Sequence, residues 1–125
     1  MTSPTARSKA LLWAEGCHVD IVEYWNSFTK RRKDLYGCID LLAITDQYPK
    51  PIAVQVTTQS NAAARIKKIE ASEYWPLLGE SFLVQVHGWT KYAVGKRKRW
   101  GCRISAWNGS EWIVDYYKPW EARTE

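Results

Sequence analysis

Two apolar stretches each carry one polar residue whose type invites chemistry: Asp40 in GCIDLLAI (37–44) and Gln55 in IAVQVTT (52–58). An ionised carboxylate inside a buried strand costs on the order of several kcal/mol unless it is paired or coordinates a cation. If the two stretches form a hairpin with its midpoint near Gln47–Tyr48, Asp40 lies across from Gln55 and Val56. A carboxylate, an amide oxygen and nearby backbone carbonyls are hard donors of the kind Mg2+ or Mn2+ accepts, with water completing the shell. Glu23, or Asp34 just ahead of the Asp40 stretch, would add a second carboxylate. The competing reading is structural: Asp40 closes a strand end by accepting backbone N–H groups, and Gln55 pairs across the sheet.

The charge pattern points to a second chemistry. Net charge is +5, and no acidic residue lies between Glu80 and Glu111, where Lys91, Lys96, Arg97, Lys98, Arg99 and Arg103 all fall. Trp89, Tyr92 and Trp100 interleave with this block, and the chain's eight tryptophans offer planar surfaces for bases or sugars. Arg31, Arg32 and Lys33 in the basic stretch NSFTKRRKDLYG (26–37), with Arg65 and Lys67 further on, extend the cationic set. The cluster as a whole favours a polyanion partner over a merely solvated hairpin.

Other chemistries lack their residues. His18 and His87 are too few and too separated for a three-ligand zinc centre, and no Gly-rich phosphate loop or Ser–His–Asp signature occurs. His87 in VHGW could assist proton transfer or be a hydrogen-bonded core histidine. Three distant cysteines, Cys17, Cys38 and Cys102, argue for buried thiols rather than disulfides or a metal knuckle. No apolar run approaches the roughly 18 residues that span a bilayer, and the N-terminal stretch lacks the core of a signal peptide. A cytoplasmic location is expected, with no membrane partner.

The elements that position these residues can be read in order. The 125 residues suit one domain, 1–125. Ser3-Pro4 starts a helix over about 4–15, with Ala10, Trp13, Ala14 and Cys17 as its apolar stripe and Gly16 as its stop. VDIVEYW (19–25) reads as a strand, 26–37 as a connector, 38–45 and 52–58 as a hairpin around a turn at 46–51. Ser60 and Asn61 are candidate caps for a helix from Ala62, with Ala62, Ile66 and Ile69 buried and Pro76 near its end. Residues 81–89, 100–107 and 111–117 read as strands, the last two joined by Asn108-Gly109. The expected fold is of the α/β or α+β type, a mixed sheet flanked by helices in the order α-β-β-β-α-β with an added C-terminal hairpin.

With Asp40 opening one strand, and Gln55 and Thr57 spaced as Q-x-T on the next, the chain resembles the PD-(D/E)XK nucleases. VEYWN, RKDLYGCIDLLAI, VQVTTQSNAAARIKKI and VHGW, over roughly residues 17–90, look like phage and prophage proteins of that kind. The resemblance implies a restriction-endonuclease-like core. It also implies a Mg2+- or Mn2+-dependent endonuclease or junction-resolvase-like hydrolase acting on DNA, in the bacterial host cytoplasm if phage-encoded. Asp40, Gln55 and the Val56 carbonyl would hold the metal, Glu23 or Asp34 would support it, and a homodimer would fit the cutting of paired strands. Thr57 stands where the family has lysine, so a cation from the following helix, Arg65, Lys67 or Lys68, would take that role. Alternatives are a non-catalytic nucleic-acid-binding module of the same fold and a structural or host-interaction protein.

Overall fold

The computed structural model describes residues 2–121, with Asn26 and Arg32 described through their backbone alone. Ser3 opens α1 (Pro4–Ala14) by accepting the Ala6 N–H at 3.1 Å, and Pro4 supplies the fixed φ of the first turn. Of the expected stripe of Ala10, Trp13, Ala14 and Cys17, only Cys17, just beyond the helix, packs into the core. Ser8, Leu11 and Leu12 are buried instead, and Trp13 is 64% exposed. Two leucines bring more apolar area than two alanines, and Ser8 is held inside by hydrogen bonds to the sheet.

The chain continues through β1 (His18–Ile21), β2 (Tyr24–Asn26), β3 (Arg31–Lys33), β4 (Leu41–Ile44) and β5 (Ile52–Thr58). A 3-10 turn (Gln59–Asn61), α2 (Ala62–Glu70) and α3 (Trp75–Ser81) lead to β6 (Leu83–Val94), β7 (Arg97–Trp107) and β8 (Trp112–Tyr117). Six strands form one sheet, ordered β1-β4-β5-β6-β7-β8, antiparallel except where the helical crossover makes β5 and β6 parallel. The fold is mixed α+β, as the sequence leads one to expect. Alternation along the strands divides the core. One cluster joins Leu11 and Leu12 of α1 to Leu41, Ala43, Ile52, Val54, Trp89 and Cys102. On the other face Ala62 and Ile69 of α2 and Leu78 of α3 meet Ala53, Val84 and Val86. All three cysteines are buried free thiols. Among the described residues no helix is long and apolar enough to cross a membrane.

Five local expectations are corrected. The strand over 19–25 divides at Val22 and Glu23: β1 stays with β4, while β2 turns away and pairs with β3 inside the supposed connector. The strand at 38–45 is regular only over Leu41–Ile44. Ahead of it the chain closes a tight loop, with Tyr36 at φ +54° and Gly37 at φ +76°, and the Ile39 N–H donates to the Leu35 carbonyl at 2.9 Å. Neither Ser60 nor Asn61 caps α2 through its side chain; the 3-10 turn carries the chain into the helix, and the Ser60 hydroxyl pairs with that of Thr58 at 3.2 Å. Pro76 starts α3 instead of ending α2, a position that suits its missing N–H. The β6–β7 hairpin also runs further than expected, past the end of β5, and closes through Gly95 (φ +61°) and Lys96.

Candidate metal and nucleic-acid site

The β4–β5 register pairs Leu41 with Val54 and Leu42 with Ala53, which sets Asp40 beside Gln55. The Asp40 N–H donates to the Val54 carbonyl and its own carbonyl accepts the Val22 N–H, both at 2.8 Å, so its backbone ties β5 to the end of β1. Its side chain is 4% exposed. Oδ2 accepts the Val56 N–H at 2.7 Å and Gln55 Nε2 at 2.9 Å. Those two contacts are what the structural reading of Asp40 anticipates.

The neighbouring carboxylates go beyond that reading. Tyr24 pairs with Lys33, so the next residues outward, Glu23 and Asp34, meet at the base of the β2–β3 ribbon. One oxygen from each lies within 4.8 Å of the other and of one from Asp40. Thr5 Oγ1 of α1 donates to Glu23 Oε1 at 3.2 Å, fixing one of the three. Burial pushes the Asp40 carboxyl upward, the Val56 N–H opposes this, and the charges of Asp34 and Glu23 with hydrogen bonding to Asp34 push it further, to about 8 from the ordinary 3.8. At neutral pH the site therefore retains a proton, and a cation is the natural replacement for it. Three hard carboxylate donors can hold a metal ion. Gln55 and Val56, expected as ligands, reach Asp40 through N–H groups, Val56 with its amide N–H and not its carbonyl; both orient the carboxylate.

Thr57 follows on the face shared by Ala53 and Gln55 and is 8% exposed, paired in register with Gly88 of β6. A Cβ on Gly88 would lie 2.9 Å from Gln59 Cα and 3.2 Å from Ala62 Cβ, so this glycine lets the turn before α2 rest on β6. On α2, Arg65 is half-buried, and Lys67 and Lys68 are exposed. Burial raises the Cys38 thiol most, Asp34 and Asp40 raise it further, and Lys68 lowers it. The Cys38 thiol thus feels two site carboxylates and Lys68 of α2.

The cations separate by face. Register and alternation put Arg97, Arg99 and Arg103 on the face of Gln55, and Lys98 and Trp100 on the α1 face. Lys96, Arg97, Lys98 and Arg99 are exposed, as are Arg31 and Lys33, while the Arg32 side chain lies outside the described residues. The interleaved aromatics are not open stacking platforms. Arg7 sits over the Trp100 ring at 4.3 Å and Lys91 at 5.3 Å. Trp89 is buried, and Tyr92 packs on Trp120 and donates to Gln59 Oε1 at 2.6 Å.

His87 is fully buried on the α1 side, and burial lowers it to about 4. The Ser8 hydroxyl accepts from Trp89 Nε1 at 2.8 Å and meets His87 Nδ1 at 2.9 Å, while His87 Nε2 meets Gln85 Oε1 at 2.8 Å. One neutral tautomer satisfies every partner: Ser8 donates to Nδ1, and Nε2–H donates to Gln85. His87 therefore holds α1 to the sheet and takes no part in the acid site. The pairing of Glu23 with Asp34 and the burial of Ser8 escape sequence reasoning. A pair of carboxylates flanking a short ribbon is the signal that could have found the former. Compared with protein-family models, curated proteins and solved structures, the chain matches none.

Proposed function

We propose that the chain is a nuclease of the PD-(D/E)XK kind that hydrolyses DNA phosphodiesters with Mg2+ or Mn2+ held by Asp40, Asp34 and Glu23. The observation that carries this reading is the meeting of three carboxylates, one of them buried within a strand pair. The chain order of helix, three antiparallel main-sheet strands, helices and a strand parallel to the third supports it. A bound divalent cation polarises the phosphate and lowers the pKa of the attacking water. Gln55 and Val56 hold the Asp40 carboxylate in one orientation, so the donor set needs little rearrangement. Lys68 of α2, whose charge acts on the same Cys38 thiol as Asp34 and Asp40, supplies the positive charge that Thr57 lacks. Arg97 and Arg99, on the face of the site, bind flanking phosphates.

Thr57 is neutral and nearly buried, which favours a second reading as a binding module of the same fold without turnover. Incubating labelled DNA with Mg2+ or Mn2+ separates the two. Cleavage by the wild type that disappears in Asp40→Asn supports hydrolysis. Salt-sensitive binding with no cleavage by the wild type supports the binding module.

A further inference from the structure

The β2–β3 ribbon adds no strand to the main sheet. It leaves after Val22, returns before Leu35, and stands on the Glu23–Asp34 pair. Two large aromatic side chains lie open along it, Tyr24 at 54% and Trp25 at 59% exposure. Lys30, Arg31, Arg32 and Lys33 follow as consecutive cations. Tyr24 and Lys33 are cross-strand partners and share one face of the ribbon, with Trp25 on the other.

Rings and cations in this mixture fit a polyanion whose base faces are free. A single nucleic-acid strand offers both features, whereas a duplex keeps its base faces inside the stack. An acidic peptide would meet the cations and leave the rings without a matching surface. The ribbon also has a direction: Lys33 adjoins Asp34 and Tyr24 adjoins Glu23, so a backbone bound along it ends at the three carboxylates.

We infer that the β2–β3 ribbon is an arm that binds single-stranded DNA and leads an unpaired strand to the acid site, so that DNA with a single-stranded portion is the substrate class. The direction of delivery rests on the nuclease reading; the binding itself rests on the ribbon alone. The test is therefore made in EDTA, by fluorescence anisotropy of a labelled single-stranded oligonucleotide and of its blunt duplex over a salt series.

The wild type should bind the single strand more tightly than the duplex. Trp25→Ala should weaken single-strand binding about 10-fold, within the range for losing one stacked base, and leave the duplex unchanged. Replacing Lys30, Arg31 and Lys33 together by Ala should flatten the single-strand salt slope by about two charge equivalents. Should Trp25→Ala lower the melting temperature, Trp25→Phe and Trp25→Leu give the same test, since both keep apolar bulk and only Phe keeps a ring; Phe should bind better than Leu. Equal single-strand affinity in wild type and Trp25→Ala, or a preference of the wild type for duplex, overturns the arm and leaves the hydrolysis reading standing. A single-strand preference that depends on Trp25, in a protein that cuts nothing with Mg2+ or Mn2+, supports the arm and removes the nuclease reading.

Discussion

Raising the pH without divalent metal should weaken this fold, because Asp40 holds a proton in the native chain where it is ionised in the unfolded one. Its carboxyl is pushed to about 8 from 3.8, first by burial and then by Asp34 and Glu23. The folded state binds the extra proton between those values, so stability falls as pH rises toward and through 8. His87 works the other way: lowered from 6.5 to about 4 by burial, it costs stability as pH falls below 6.5. Cys102, raised by burial from 9.0 to about 12, weakens the fold only above pH 9. From pH 7 to 8.5 Asp40 dominates. At about 1.4 kcal/mol per pKa unit, the loss over that window is on the order of 1 kcal/mol, or about 4 °C in Tm for a domain of this size. Urea and thermal melts in EDTA measure it. Mn2+ should restore more stability at pH 8.5 than at pH 7, because no proton then has to be displaced. Asp40→Asn should remove the slope and exceed the wild type in stability at pH 8.5 in EDTA. Wild-type stability that is flat or rising over the window, or an equal slope in Asp40→Asn, would refute the reasoning.

Gly88→Ala should cost about 1–3 kcal/mol in urea melts, since the new Cβ would meet Gln59 backbone at 2.9 Å; unchanged stability would show that the turn before α2 can move freely. Lys68→Ala should lower turnover roughly 10²–10³-fold with the melting curve intact, and Lys67→Ala much less; equal effects would remove Lys68 from the lysine role. Replacing Arg97 and Arg99 by Ala should flatten the salt dependence of duplex binding by up to about two charge equivalents, and Lys98→Ala should flatten it less, because Lys98 lies on the α1 face.

The parts legible in the sequence are those where pattern and tertiary demand agree. Ser3-Pro4, the β-branched run 52–58 and the Asn108-Gly109 turn declare their elements locally, and the structure forms each of them. Asp40 and Gln55 are also legible, because a polar residue in an apolar strand needs a partner, and each is the other's. Less legible is the β2–β3 ribbon. Lys30 to Lys33 carry little β signal, and Lys30 takes φ +54°, so the stretch reads as a connector although pairing makes it a hairpin. Hiding that ribbon also hid the meeting of Glu23 with Asp34, which only pairing creates. Ser8 lies in the same class: a serine within a helix gives no local sign that Trp89 and His87, some eighty positions on, will bury it.

The claim on which the chemistry stands is that Asp40, Asp34 and Glu23 together hold a divalent cation. Calorimetric titration of Mn2+ into the wild type and into Asp40→Asn, Asp34→Asn and Glu23→Gln, at pH 8 where the Asp40 proton is readily lost, tests it most directly. The expected result is saturable binding by the wild type and weaker binding by every variant, with all four proteins folded. Equal Mn2+ affinity in the wild type and Asp40→Asn would contradict it.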